Sequence, residues 1–151
     1  MGIAGTGKST LGCLLASKLN SEFVEADDFH SRKNKVKMSE GIPLKSFERE
    51  IWLNRLFYYL ESGASDKVVV ACSALTEKSQ KRFTELGFKC IFLNGSQKLI
   101  RMRLNSRKDH FFNESLLKDQ IKNLSPPSAD LELDITKSAE DLCREVLIFF
   151  N

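Results

Sequence analysis

Residues 2–9 constrain the fold of this chain more than any other segment, because they read GIAGTGKS. They satisfy the pattern G-x-x-x-x-G-K-[ST] of a P-loop, in which backbone N–H groups point inward and hold the phosphates of a nucleotide. Gly5 and Gly7 permit backbone angles that a side chain would forbid, and they let the chain approach the phosphates closely. Because a P-loop normally joins a strand to a helix, the motif predicts an α/β fold and a nucleoside triphosphate ligand.

The side chains of this loop predict a division of roles around ATP and Mg²⁺. Lys8 is expected to place its ammonium on the β- and γ-phosphates, and Ser9 is expected to offer its hydroxyl to Mg²⁺. Apolar residues at helical spacing from Leu11 to Leu19 predict a helix whose N-terminus adds the positive end of its dipole. The loop residues expected to contact the nucleotide are Gly2, Ala4, Gly5, Thr6, Gly7, Lys8, Ser9 and Thr10.

Only Met1 precedes the loop, so we expect the strand that normally leads into a P-loop to be absent. That strand is usually central, and without it backbone groups and apolar side chains on both sides would lose partners. Each buried apolar side chain lost costs roughly 1.5–3 kcal/mol, against a total stability of about 5–15 kcal/mol. A chain that begins here is therefore expected to be unstable or poorly soluble. The alternative is a start codon placed too far downstream.

Length and composition indicate one domain over residues 1–151, with 42% hydrophobic and 28% charged residues. A net charge of +3 suits anionic ligands and does not require nucleic acid. No apolar run is long enough to span a membrane, and the early P-loop leaves no room for a signal peptide, so we expect a cytoplasmic protein with no membrane partner. None of the four cysteines forms a C-x-x-C pair, which favours buried, reduced thiols.

Strand and helix patterns alternate along the chain and predict a parallel sheet covered by helices on both faces. The expected strands lie at residues 23–24, 67–72, 88–93 and 131–135, and the valine-rich second one is typical of a strand buried on both faces. Polar segments at residues 30–45 and 101–113 are expected to flank the carboxyl edge of the sheet, where ligands bind in such folds. For the second segment, a solvated helix face is the alternative.

Motifs beyond the P-loop follow in order along nearly the whole chain. They are A-D-D-F-H at residues 26–30, K-M-x-x-G-x-P-L at 37–44, R-x-x-W-L at 49–53, C-S-A-L at 72–75 and R-x-x-H-F at 107–111. Together they resemble gluconokinases of the small P-loop kinase type, relatives in fold of shikimate kinase and adenylate kinase. The resemblance implies a three-layer P-loop kinase fold with a mobile lid near residues 105–115. It also implies ATP-dependent phosphorylation of D-gluconate to 6-phosphogluconate.

The resemblance also implies roles for individual residues. The expected catalytic residues are Lys8, Asp27 and Arg107, with Asp27 orienting the acceptor hydroxyl, taking its proton or helping to hold Mg²⁺. Arg103 and Arg107 would close over ATP, and Arg49 would bind the substrate carboxylate. The expected substrate-binding residues are Asp27, His30, Arg49, Ser73 and His110. Dimers are common in similar kinases, so a homodimer is one expectation.

Each role has a simpler alternative that the residues themselves leave open. Asp27 could cap a helix, His30 could be an ordinary loop histidine, and Arg49 could be an exposed helix charge. Trp52 and Cys72 are expected to serve packing rather than chemistry.

The chain departs from the resembled pattern mainly on the acceptor side. Thr76, Glu77, Ser79 and Gln80 stand where the family has two lysines, an aromatic residue and an arginine, and Glu25 stands where an aspartate is usual. Lys78, Lys81 or Arg82 could compensate for the lost cations. Two alternatives therefore stay open, namely another small-molecule kinase with a changed acceptor, or an inactive ATP-binding paralogue.

Overall fold

The computed structural model describes residues 1–106 and 114–150, and its helices and strands alternate as the sequence predicts. In chain order the elements are α1 (Lys8–Leu19), β1 (Glu22–Glu25), a short 3-10 helix (Ala26–Phe29), α2 (Arg32–Ser39), α3 (Ser46–Ser62), β2 (Val68–Ala71), α4 (Glu77–Glu85), β3 (Ile91–Asn94), α5 (Gln97–Asn105), α6 (Glu114–Asn123), β4 (Leu131–Asp134) and α7 (Ala139–Phe150). The helix expected directly behind the P-loop is α1.

The strands form parallel pairs, which confirms the predicted α/β class. β1 pairs with β2, with Glu22 opposite Val68, and β3 pairs with β4, with Ile91 opposite Leu131. Among the described residues, no strand pairing joins β2 to β3, so the sheet is divided into two halves. This division agrees with the expectation that backbone groups would lose partners in a P-loop protein without the preceding strand.

The first two residues bridge the half-sheets at their carboxyl ends. The Met1 nitrogen donates to the carbonyl of Ile91, and the Met1 carbonyl accepts from the Leu93 nitrogen at 2.9 Å. The Gly2 nitrogen donates to the carbonyl of Ser73 at 3.4 Å, just beyond the end of β2. Met1 and Gly2 thus occupy the place of one strand and hold the P-loop at the carboxyl edge of the sheet.

The buried apolar side chains form two clusters that follow the division of the sheet. The first packs α1, α5, α6 and α7 against β3 and β4, and its members include Leu11, Leu15, Leu93, Ile100, Leu104, Leu117, Leu133, Leu142 and Val146. The second packs α3 and α4 against β1 and β2, and its members include Val24, Trp52, Leu56, Phe57, Cys72, Phe83 and Cys90. Trp52 and Cys72 therefore serve packing, as expected.

The largest differences from the predicted elements are the start of β3 and a helix after His30. β3 begins at Ile91 rather than Phe88, because the Phe88 nitrogen donates to Phe83 and closes the end of α4. The polar segment after His30 contains α2, which the sequence reading did not identify. Ser31 caps this helix by accepting a hydrogen bond from the Asn34 nitrogen at 3.1 Å.

Three of the four cysteines match the expectation of buried, reduced thiols, and Cys13 does not. All four are free thiols, and Cys72, Cys90 and Cys143 are buried, whereas Cys13 is exposed. Within residues 1–106 and 114–150, no helix combines the length and apolarity needed to cross a membrane.

Candidate active site

The P-loop adopts the conformation that its glycines predict. Gly5 and Gly7 have φ angles of 82° and 93°, in the region that side chains disfavour. A Cβ added to Gly5 would lie 2.7 Å from Cγ of Leu104, so the packing of α5 against the loop also requires glycine there. The Thr6 hydroxyl is buried and donates to the Ile3 carbonyl at 2.9 Å, which closes the loop into a compact ring.

The Lys8 side chain folds back over this ring, and its Nζ donates to the Ile3 carbonyl at 3.0 Å. The ammonium thus lies on the concave side of the P-loop, where phosphate oxygens would take the place of the Ile3 carbonyl as its partner. The Ala4 nitrogen donates to Oε1 of Gln120 on α6 at 2.6 Å. A nucleotide that uses the Ala4 amide has to displace Gln120, a contact that no local sequence pattern indicated.

Oxygen ligands suited to Mg²⁺ lie next to the loop. The Ser9 hydroxyl donates to Oε2 of Glu25 at 2.5 Å, at the point where β1 ends. Hydroxyl and carboxylate oxygens are hard ligands that fit Mg²⁺. Among the described residues, no group of three or more His, Cys, Asp or Glu side chains could hold a metal. From the sequence, Glu25 was noted only as a departure from the family pattern and was not predicted to belong to the site.

Asp27 lies in the short 3-10 helix after β1 and is 76% exposed at its side chain. Its Oδ1 lies 3.8 Å from Nε2 of His30. The alternative that Asp27 caps the following helix is wrong, because Ser31 caps α2. The carboxylate is thus open to solvent.

His30 lies in the loop between the 3-10 helix and α2, as its simpler alternative has it, but its side chain is buried. Its ring stacks on Trp52 with centroids 4.2 Å apart, and Nε1 of Trp52 donates to the Ala26 carbonyl at 2.6 Å. Burial lowers the pKa of His30, and the nearby Asp27 carboxylate opposes this effect only in part. Its Nδ1 atom is buried and finds no hydrogen-bond partner among the described residues.

Arg49 is engaged by two partners, so it is not an exposed helix charge. Its Nη1 atom donates to Oδ2 of Asp119 at 3.1 Å, and its Nη2 atom donates to the Leu44 carbonyl at 2.6 Å. The carboxylate that Arg49 binds in this structure therefore belongs to α6. Asp119 was not identified from the sequence, since it lies 70 residues away along the chain.

The remaining predicted site residues fall into two groups. Ser73 follows β2, and its carbonyl is tied to Gly2, so it lies beside the P-loop. Nη1 of Arg103 lies 3.8 Å from the position that a Cβ on Gly7 would take, which also places Arg103 at the loop. Arg107 and His110 lie outside the described residues.

The P-loop and the 3-10 helix lie next to each other at the end of β1. Ser9, which follows Lys8, donates to Glu25, the last residue of β1, and Asp27 follows two residues later. The Gly2 nitrogen bonds to Ser73, just beyond the end of β2, so Lys8 and Asp27 both lie near the carboxyl ends of these strands. This is the edge at which parallel sheets bind their ligands.

Three of the four acceptor-side positions that depart from the resembled pattern have structural roles. Thr76 caps α4 through a hydrogen bond with Ser79, and the buried Gln80 amide bonds to Ala74 and Ser128. The neighbouring cations contact other groups, as the pairs Lys78–Glu50, Lys81–Glu85 and Arg82–Glu61 show. No pairing of these three cations supports the compensation suggested for them.

Comparison with known proteins gives a consistent family relationship. The family model described as shikimate kinase matches residues 4–145. A probable gluconokinase of Dictyostelium discoideum is 37% identical over 100% of this chain and 84% of the relative. A probable gluconokinase of Rattus norvegicus is 36% identical over 97% of this chain and 93% of the relative. The crystal structure of a gluconokinase from Sinorhizobium meliloti 1021 superimposes with a TM-score of 0.87 at 34% identity, covering 99% of this chain and 87% of that chain.

Proposed function

Since this chain belongs to the gluconokinase family, within the shikimate kinase-type P-loop kinases, we propose that it phosphorylates D-gluconate at its terminal hydroxyl with ATP. The products are ADP and 6-phospho-D-gluconate. The observation that carries the proposal is the contact between the helix behind the P-loop lysine and the end of β1, where Ser9 bonds to Glu25 and the exposed Asp27 carboxylate follows two residues later.

The geometry of the P-loop supports the proposed binding of ATP. Lys8 exchanges its bond to the Ile3 carbonyl for the phosphates, and the backbone around Gly5 and Gly7 supplies N–H donors. Ser9 and Glu25 are the residues that would hold Mg²⁺ next to these phosphates. When bound, the metal neutralises part of the phosphate charge.

On the acceptor side, Asp27 accepts the proton of the terminal gluconate hydroxyl. The hydroxyl oxygen forms the new bond to the γ-phosphorus, and the bond between the γ-phosphorus and the bridging β-phosphate oxygen breaks. The exposed carboxylate can reach a substrate without rearrangement of the core. His30, whose Nε2 lies 3.8 Å from the Asp27 carboxylate, contacts a second hydroxyl of the sugar acid. Arg49 binds the carboxylate in place of Asp119.

Arg103 stabilises the charge on the transferred phosphoryl group from its place beside Gly7. We assign the same role to Arg107 and a substrate contact to His110, within a lid near residues 105–115. We further propose a single kinase domain over residues 1–151 that acts in the cytoplasm on a small sugar acid, without nucleic acid or membrane partners, as a homodimer.

A coupled ADP-release assay with and without D-gluconate tests the activity. We expect gluconate to stimulate ADP release in the presence of Mg²⁺, and we expect Lys8→Ala to abolish this stimulation. ADP release that gluconate leaves at the acceptor-free rate would contradict the proposal.

A second candidate function, phosphorylation of a different hydroxyl compound, is favoured by the pairing of Arg49 with Asp119 and by the structural roles of Thr76 and Gln80. These features leave fewer cationic side chains to bind the carboxylate of a sugar acid. A panel of acceptors that includes shikimate and several sugar acids separates the candidates, because only the gluconokinase hypothesis expects gluconate to have the highest kcat/KM.

A further inference from the structure

One face of α6 is tied to the segments proposed to bind the acceptor. Ser115, Asp119 and Asn123 recur every four residues and therefore share this face. The Ser115 hydroxyl donates to the carbonyl of Gly41, between α2 and α3. Asp119 accepts from Arg49 on α3, and the Asn123 amide donates to the other Asp119 oxygen at 3.1 Å. α6 is thus fixed on its acceptor side by hydrogen bonds.

A second face of the same helix is fixed to the nucleotide side. Leu117, Gln120 and Ile121 are three or four residues apart and share this face. Leu117 is completely buried in the cluster that contains Ile3, and Ile121 packs against the same cluster. Between these apolar contacts, Oε1 of Gln120 accepts the hydrogen bond from the Ala4 nitrogen at 2.6 Å. α6 therefore lies between the P-loop and the acceptor segments and contacts both.

The bond between Gln120 and Ala4 differs from the bonds that close the P-loop. Thr6 and Lys8 both donate to the Ile3 carbonyl, so these bonds stay within the loop. The Ala4 bond joins the loop to a separate helix 116 positions away in the sequence. Since a backbone N–H can only donate, Gln120 has to present its oxygen to the loop. The place of the loop relative to α6 therefore depends on this side-chain oxygen.

The relative placement of the two sides of the site determines the rate of phosphoryl transfer. The γ-phosphorus and the acceptor hydroxyl have to lie in line and within reach, because the protein contributes mainly positioning and charge stabilisation. A misplacement of about 1 Å is enough to lower the rate roughly 100-fold. A bond that joins the phosphate-binding loop to the helix behind the acceptor segments acts directly on this distance.

We propose that Gln120 is a positioning residue for phosphoryl transfer, which holds the P-loop through the Ala4 amide at a fixed distance from the acceptor. The inference rests on the proposed kinase function. Gln120 acts through the loop and contacts neither substrate. A nucleotide held by the amides around Gly5 and Gly7 leaves the bond between Gln120 and Ala4 in place.

Three variants test the proposal by kinetics. Gln120→Met keeps the length of the side chain and removes the acceptor oxygen, whereas Gln120→Glu keeps an oxygen at the same distance. Gln97→Met is the matched control, because Gln97 is exposed at the start of α5. The shorter Gln120→Asn, whose amide cannot reach Ala4, replaces the Met variant if that protein does not fold.

We expect Gln120→Met to lower the gluconate-dependent kcat about 10- to 100-fold, with KM for gluconate nearly unchanged. Acceptor-free ADP release should change little, because water needs no alignment with the acceptor segments. Gln120→Glu should recover most of the lost kcat at saturating ATP, since the added charge weakens ATP binding without removing the bond to Ala4. Gln97→Met should behave as wild type.

Amide hydrogen exchange at Ala4 tests the hydrogen bond without any turnover. We expect exchange at this amide to be about tenfold faster or more in Gln120→Met than in wild type, because the donor loses its partner. Gln120→Glu and Gln97→Met should keep the protection of wild type.

Three outcomes would overturn the proposal: an unchanged gluconate-dependent kcat in Gln120→Met, an equal fall in gluconate-dependent and acceptor-free ADP release, or a Glu variant as slow as the Met variant. Unchanged exchange at Ala4 would overturn it as well. Wild-type ADP release that gluconate does not stimulate would contradict the proposed function, whereas the exchange at Ala4 reports only on Gln120. The two proposals therefore fail separately.

Discussion

Arg49 on α3 and Asp119 on α6 form an ion pair in which Nη1 lies 3.1 Å from Oδ2. Both side chains are largely buried, with exposed fractions of 20% and 24%. The second Asp119 oxygen accepts from the Asn123 amide at 3.1 Å, so the acid is held from two sides. The pair places a protein carboxylate where the proposed function places the carboxylate of the substrate.

Arg49→Ala is expected to raise KM for gluconate about 10- to 100-fold with a smaller effect on KM for ATP, because a charge-assisted hydrogen bond contributes about 1.5–3 kcal/mol. Steady-state kinetics with each substrate varied in turn provide the measurement. Equal increases in both KM values would contradict the assignment of Arg49 to the acceptor.

Asp119→Asn is the matched variant, since it keeps the shape of the side chain and removes its charge. We expect it to lower KM for gluconate several-fold, because Arg49 no longer has a competing carboxylate. An increase in KM would instead show that Asp119 is needed to position Arg49 for the substrate.

Gly5→Ala is expected to destabilise the protein and to abolish ATP binding. The new methyl group would lie 2.7 Å from Leu104, and the φ of 82° disfavours any side chain. Gly87→Ala is the control, because Gly87 has a φ of 81° and no atom within 4 Å of the added Cβ. We expect about 1–2 kcal/mol of lost stability from backbone strain at Gly87, and about 1–3 kcal/mol more at Gly5 from overpacking.

Urea denaturation and calorimetric titration with ATP measure these two effects. The Gly87 variant should keep its ATP affinity, since it lies outside the loop. Equal losses of stability in the two variants would show that Leu104 does not constrain the loop.

Glu25→Gln is expected to raise the Mg²⁺ concentration needed for half-maximal activity about tenfold, because the carboxylate next to Ser9 loses its charge. Glu22→Gln is the control at the other end of β1, where Glu22 bonds to Tyr59 and Ser65 instead. That variant should change stability without changing the Mg²⁺ requirement. Titration of activity with Mg²⁺ at fixed ATP separates the two, and identical Mg²⁺ curves for wild type and Glu25→Gln would exclude Glu25 from the metal site.

The buried Met1 amine of the 151-residue chain predicts a pH-dependent stability. Its pKa falls from 8.0 to about 6 on folding, so the unfolded chain binds more protons between these values, and stability rises with pH from 6 to 8. A shift of about two units corresponds to about 3 kcal/mol. Urea denaturation at pH 6, 7 and 8 measures the slope, and acetylation of the amine should remove it.

His30 is expected to act in a lower pH window. Because burial lowers its pKa, the unfolded chain binds the proton more readily, and stability should fall as pH drops below 6.5 toward the pKa of the folded state. His30→Gln should flatten this part of the profile while leaving the slope between pH 6.5 and 8 intact. A profile that the substitution leaves unchanged below pH 6.5 would contradict the assignment.

Local sequence chemistry predicted the elements of the nucleotide side, because it depends on neighbours along the chain. Gly5, Gly7 and Lys8 determine the loop by their own backbone freedom and charge, and Leu11 to Leu19 determine the helix behind it by spacing. For the acceptor side, the sequence predicted which residues take part but not which groups hold them in place. Their partners come from distant segments, as the contact between Trp52 and Ala26 and the ion pair with Asp119 show.

The sequence by itself determined the ligand class, the alternation of parallel strands with helices and the kinase family, since each depends on short motifs and their order. Only the tertiary structure decided that Arg49 is paired with Asp119 and that His30 is buried against Trp52. The physical reason is the same in each case. These features depend on which surfaces pack together and on which backbone groups find a partner, and neither is encoded within one local window of the chain.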